Sequence, residues 1–316
     1  MPVIGTSLLP VGHTRDPESP DPTPIEGIRL ITEPLNLNAG AGQVTGFLAR
    51  GEVGRSLLVC IPGGSYNARY FDVPGHSFVR AATERGFSVA TLNRPGYEDS
   101  TPLACPTFAG NAEALIAAID DLWSVTKDEC TGVVLVGHSM GGAIAMHIAS
   151  RPRPWPLLGL AISAIHYDAP EAVTQAWNAM PADISIEFTD EQRVQFMYGP
   201  PETYDRSVLS AAGPALSPIP VAELLEVVGG WIRDFPTVAA SIDVAVHYGL
   251  SEHEQLWISS PVGVDSFAAS LTGAPSVSAH HVPGVGHNID HHHAGGQYRR
   301  DVLDWAQTLP VRADHS

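Results

Sequence analysis

Val133-Val134-Leu135-Val136-Gly137-His138-Ser139-Met140-Gly141-Gly142 is the stretch from which this chain is best read. Four apolar residues, three of them valine, run into a Gly-x-Ser-x-Gly pattern, and Ala143-Ile144-Ala145-Met146-His147-Ile148-Ala149 follows with the composition of a helix. A buried strand, a sharp turn and a helix are expected in succession, with a serine at the turn. The glycines have a steric reason: side chains at 137 and 141 would collide with neighbouring backbone. Because Ser139 heads the helix, the N–H of Met140 has no acceptor within it and can donate to an anion.

Gly137-His138-Ser139-Met140-Gly141-Gly142 resembles the nucleophile elbow of the α/β-hydrolase superfamily, and the similarity extends with gaps from about residue 28 to 309. The resemblance implies an α/β fold with a mostly parallel central sheet, helices on both faces and an inserted helical lid. It also implies a triad in the order serine, acid, histidine. Independently of it, strands predicted at 56–61, 87–92, 157–165, 242–250 and 276–282 alternate with helices predicted at 73–86, 108–126, 262–272 and 294–308, the pattern of a parallel sheet covered on both faces.

Upstream, the strand at 56–61 ends in Pro62-Gly63-Gly64-Ser65-Tyr66. Two glycines let backbone approach a substrate carbonyl with unmasked amides. In the superfamily this turn supplies the second oxyanion-hole N–H. By position that donor is Gly64, with Ser65 beside it as a substrate contact; the usual histidine before the glycines is proline here. Asn93-Arg94-Pro95-Gly96-Tyr97-Glu98-Asp99-Ser100 is similar to the family's Asp-x-Arg-Gly-x-Gly-x-Ser loop, in which Arg94 is expected to brace the loop. Residues 28–37 and 43–50 read as an antiparallel hairpin. Residues 1–24, with six prolines, read as an extended arm.

Downstream the pattern changes. Residues 167–240 carry no convincing buried strand but several short helical patches, at 170–180, 190–197, 201–212 and 221–232. They resemble the superfamily's lid, which divides the core into residues 25–166 and 241–316. Of the segment's aromatic residues, Trp177 and Phe196 are the candidate substrate contacts, and the rest are expected to hold it together.

A serine hydroxyl needs a base to take its proton and a carboxylate to orient that base. His287, in Val282-Pro283-Gly284-Val285-Gly286-His287-Asn288, follows the last strand and resembles the family's Gly-His loop. The acid is read from Gly249-Leu250-Ser251-Glu252-His253-Glu254, where one alignment with the family gives Glu254 and another Glu252; Asp168, after the sixth strand, is a third candidate. Glu254 is preferred. His287 and His291 have the i, i+4 spacing of helical metal ligands, but no glutamate follows the first histidine, and His291, His292 and His293 would point in different directions. A solvated histidine-rich turn is expected there, with neither metal nor cofactor. His138 is expected to pack away from Ser139.

A net charge of −17 argues against nucleic acid or an anionic membrane as partner. Three scattered cysteines, Cys60, Cys105 and Cys130, make no disulfide framework and point to a reducing, cytoplasmic setting. The residues assign no oligomeric state. The expected activity is hydrolysis of an ester, lactone or thioester of a partly apolar small molecule through a Ser139-His287-Glu254 triad and an acyl-enzyme. Carbon–carbon bond hydrolysis, a lyase, a biosynthetic thioesterase and a non-catalytic small-molecule binder are the alternatives on the same fold.

Overall fold

The computed structural model describes residues 32–310. The arm expected at 1–24 and the first residues of the 28–37 stretch lie outside them. In chain order the elements are β1 (Glu33–Asn38), β2 (Gln43–Ala49), β3 (Arg55–Ile61), α1 (Phe78–Thr83), β4 (Ser88–Leu92), α2 (Phe108–Thr126), β5 (Cys130–His138), α3 (Met140–Ala149) and β6 (Leu157–Ser163). Then come α4 (Glu171–Asn178), β7 (Ser185–Ile186), α5 (Asp190–Arg193), α6 (Ser207–Ala211), β8 (Ile219–Pro220), α7 (Val221–Glu226) and α8 (Ile232–Ala240). The core closes with β9 (Ala245–Ser251), α9 (Pro261–Ser270), β10 (Val277–Val282) and α10 (Gly295–Gln307).

The main sheet has the order β1-β2-β4-β3-β5-β6-β9-β10. From β4 to β10 all neighbours are parallel, while β1 and β2 form the expected hairpin and join β4 antiparallel. β3, β5 and β6 are the most apolar strands because both their faces are covered. Two residues of β6 show how. A Cβ built at Gly142 of α3 would lie 3.6 Å from Ile162, whereas one built at Gly159 would meet Trp305 and Leu309, beyond or within α10. Positions 159 and 162 point to opposite sheet faces, so α3 and α10 lie on opposite sides. α2 packs with α3, and α1 with α10.

The helix predicted over 73–86 shortens to α1. Pro74 and Gly75, the latter at φ +80°, stop any earlier start, and Ser77 caps the helix by accepting the N–H of Arg80. Between β6 and β9 the chain is helical, as expected, apart from the two-residue pairing of β7 with β8. The patch expected at 221–232 instead runs to 240, through Pro236, with a π-helical stretch Val227–Trp231 joining α7 to α8. A second π-helical stretch, Val194–Tyr198, extends α5. Among the described residues no helix is long and apolar enough to cross a membrane.

Candidate active site

The sequence-derived candidates outside the inserted segment, and Asp168 at its start, follow the carboxyl ends of parallel strands, where crevices open in such sheets. Ser139 follows β5 at φ 53°, ψ −124°, a conformation that costs a non-glycine residue about 1–3 kcal/mol. Its surroundings impose it. Ser139 N–H donates to Ser163 O (2.8 Å), and Gly142 N–H returns to Ser139 O (2.8 Å). A Cβ at Gly141 would lie 2.0 Å from Ile61 O, and one at Gly137 2.6 Å from Gly141 O, so only glycine fits on either side. Met140 is the first residue of α3, so its N–H is one of the helix's spare donors.

The glycine turn after β3 packs directly on this elbow. A Cβ at Gly63 would lie 2.9 Å from Ser139 Cβ; one at Gly64 would lie 2.9 Å from Met140 Sδ and 2.4 Å from Ile219 Cδ1. Ser65 adopts φ 64°, is buried, and its Oγ has no hydrogen-bond partner.

His287 follows β10 and is buried. Its Nδ1 lies 2.9 Å from both Oε1 and Oε2 of Glu254, whose side chain is fully shielded from solvent. Glu254 also accepts from Ser251 Oγ (3.0 Å) and from the N–H groups of Gln255 and Leu256 (both 3.0 Å). With Nδ1 engaged, the ring has Nε2 left for another partner. The competing acids are elsewhere. Glu252 is exposed, accepts the Gly284 N–H at 2.8 Å and approaches His253 at 3.8 Å. Asp168 is exposed, and its N–H donates to His166 Nδ1.

Gly64, Ser65, Ser139, Met140 and His287 line one cavity, whose empty volume of about 400 Å³ includes its opening to solvent. Its other walls are apolar: Trp177, Phe188, Met197, Leu224 and Trp257 are the larger contributors. Trp177, one of the two candidate substrate contacts, is among these walls. Phe196 does not line the cavity; Phe188, 6.0 Å from it between ring centroids, and Met197 do. Met197 and Val227 both reach the cavity from π-helical stretches. A second cavity, bordered by Glu187, Asp190, Arg193 and Ser217, shares Ser65 and Phe188 with the first and is far more polar.

Behind the His287 loop the expected solvated turn is a correction. His291 and His292 are buried, and only His293 is exposed. His291 Nδ1 lies 3.0 Å from Tyr198 Oη, and His292 Nε2 accepts the Gly286 N–H (3.0 Å). Burial pushes the His291 ring down to about 3, helped by His76 and His292. The segment packs among rings because His292 serves the tight turn at Gly286, which a polarity argument does not register. His138 packs as expected: its ring stacks on Tyr70 at 4.5 Å, and burial, with His287 and His291 nearby, holds it neutral by lowering its pKa well below the usual value. Among the described residues no group of three or more His, Cys, Asp or Glu could hold a metal ion.

A sequence profile described as the alpha/beta hydrolase family matches residues 58–300. No curated protein sequence matches the chain. Among solved structures, a soluble variant of monoglyceride lipase from Saccharomyces cerevisiae superposes with a TM-score of 0.69 at 14% identity, covering 92% of this chain and 98% of that one. A thermostable carboxyl esterase from Bacillus coagulans gives 0.66 at 15% identity, over 88% and 98%. The thioesterase domain from the curacin biosynthetic pathway gives 0.58 at 17% identity, over 88% and 100%. At these identities the likeness is one of fold.

Proposed function

The chain belongs to the alpha/beta hydrolase family, and we propose that within it the chain is a serine hydrolase cleaving an ester, lactone or thioester whose acyl part is largely apolar. The observation that carries this reading is the Glu254–His287 contact at 2.9 Å, at the edge of a cavity that His287 shares with Ser139, Met140 and Gly64.

In this reading Ser139 Oγ attacks the substrate carbonyl while His287 takes the hydroxyl proton at Nε2. Glu254 holds the Nδ1 proton and stabilises the imidazolium that forms. The carbonyl oxygen, now negative, receives hydrogen bonds from the N–H groups of Met140 and Gly64. Collapse of the tetrahedral intermediate expels the leaving group, which takes the proton from His287. Water, deprotonated by the same ring, then attacks the acyl-Ser139 carbonyl and regenerates the serine. The apolar walls from Trp177 to Trp257 receive the acyl part, and the inserted residues 167–240 act as the lid that excludes water. The three free cysteines support a cytoplasmic setting.

A panel of p-nitrophenyl esters of increasing acyl length tests the proposal, alongside labelling by a fluorophosphonate. Wild type is expected to hydrolyse and to label, and Ser139→Ala to lower turnover by a factor of about 10⁴ to 10⁶. A wild type that does neither would sink the hydrolase reading in favour of a small-molecule binder.

A further inference from the structure

A second buried glutamate sits beside the same turn. Glu223 lies in the first turn of the inserted helix α7 and is fully buried. Arg94, from the loop after β4, grips it with both arms: Nη1 donates to Oε1 at 2.7 Å and Nη2 to Oε2 at 3.0 Å. Tyr97 Oη donates to Oε2 at 2.7 Å, and its ring lies 4.2 Å from the Arg94 guanidinium carbon. Burial alone would lower the Arg94 pKa, but the charge and hydrogen bonds of Glu223 outweigh it and hold it above its ordinary value. One further bond carries consequence beyond stability: Arg94 Nη2 also donates to the carbonyl of Gly63 at 3.2 Å.

The Gly63 carbonyl and the Gly64 N–H belong to one peptide unit. That unit is planar and trans, so its C=O and N–H point in opposite directions. A guanidinium fixed on the carbonyl therefore fixes where the Gly64 N–H points. Arg94 is completely buried, whereas Gly64 lines the cavity with Ser139. Glycine on both sides of this bond gives the unit little intrinsic preference, so an external clamp is what can hold it. The inserted segment supplies more of that clamp. Ser217 N–H donates to Ser65 O (2.9 Å), Asn67 N–H to Ala215 O (2.9 Å) and Asn67 Nδ2 to Pro214 O (3.1 Å). The left-handed Ser65 lies between these ties and the Arg94 bond, and such a backbone persists only where its surroundings over-determine it.

We propose that Arg94 and Glu223 are positioning residues for the oxyanion hole, so that the inserted segment orients the Gly63–Gly64 peptide as well as covering the cavity. The proposal rests on the serine-hydrolase reading above. Neither residue touches substrate; Glu223 sets Arg94, and Arg94 sets the amide.

The test compares wild type with Arg94→Lys, Glu223→Gln, the double variant and Tyr97→Phe. Each is checked for folding by circular dichroism and for kcat and KM on the best p-nitrophenyl ester. Affinity is measured for an alkyl boronic acid, whose tetrahedral adduct with Ser139 fills the oxyanion hole, and for the product carboxylic acid. Arg94→Lys and Glu223→Gln are expected to lower kcat about 10- to 100-fold and to weaken the boronic acid by a similar factor, with KM and product affinity changing less than about threefold. The double variant should fall no further than the worse single one, since both act through one peptide. If the first two variants do not fold, Tyr97→Phe, which loosens only Glu223, is expected to lose about two- to fivefold in kcat with the same selectivity.

Folded variants with unchanged kcat and boronic-acid affinity overturn the proposal, as does an equal loss of boronic-acid and product binding. A wild type that neither hydrolyses esters nor reacts with a fluorophosphonate overturns the hydrolase reading itself. That failure is distinguishable, because it is seen before any variant is made.

Discussion

Glu223 and Glu254 are both buried carboxylates that accept hydrogen bonds on both oxygens, yet they face different partners. Glu223 meets a guanidinium, which is always charged and matches it as a planar fork. Glu254 meets an imidazole through a single nitrogen, a partner whose charge can change during a reaction. Their supports differ accordingly. Tyr97, a side chain, completes Glu223. Two backbone amides and Ser251 complete Glu254, so its position is set largely by main chain. A permanent ion pair suits a fixed strut between two segments, and a carboxylate on a titratable ring suits proton transfer.

Ways to break the contrast differ in size. Glu254→Gln keeps shape but can stabilise the wrong ring tautomer and cannot stabilise an imidazolium. It is expected to lower kcat by a factor of about 10⁴ on ester substrates, with little change in the denaturation midpoint. A loss below about tenfold would take Glu254 out of the triad. Glu223→Ala should do the reverse in emphasis: it strands a buried guanidinium and is expected to cost about 3–5 kcal/mol in urea unfolding, beyond any kinetic effect. An unfolding free energy equal to wild type would show that water reaches Arg94.

The activity–pH profile reads the Glu254 site only where the fold survives, and buried histidines set that limit. Burial lowers His147 to about 4, with Arg151 adding to it, and lowers His247 to about 3, with His280 adding to it. His291 is likewise held near about 3. The unfolded chain binds protons at these rings near their ordinary 6.5 while the native one resists, so stability falls as pH drops below 6.5 toward 4. Asp290, pushed up to about 6 by burial against the pull of Arg299, works in the opposite sense, one group against these three and the likewise lowered His138. Melting temperature is expected to decline over that range, and His247→Phe, which removes two unpartnered ring nitrogens, to flatten the decline. The smallest expected effect at the Glu254 site itself is that of Ser251→Ala, about tenfold or less in kcat, because the two amides still hold Glu254.

What could be read in advance follows the range of each interaction. Ser139 and His287 sit in local patterns whose glycines are demanded by close backbone approach. The choice between Glu252 and Glu254 could not be local, since both lie in one tetrapeptide; it turns on which carboxylate the turn after β9 carries inward. Phe196 stands out in the sequence only as an aromatic residue of the inserted segment; in the π-helical stretch Val194–Tyr198 it is Met197 that lines the cavity instead. The helix expected over 73–86 ignored how firmly Pro74 and Gly75 interrupt. Arg94 was legible as a loop brace, whereas Glu223, 129 residues away, has no local signal at all.

The ties between the inserted segment and the glycine turn bear on how such enzymes can be recombined. A chimaera carrying another protein's insert would need a carboxylate to meet Arg94 and backbone to match Ser65 and Asn67. Without them the graft leaves a charge in a dry interior and an unsupported left-handed serine. The boundary at which this chain tolerates exchange therefore lies inside the inserted segment, short of its seams at residues 214–217 and 223, rather than at the ends where the helices begin and stop.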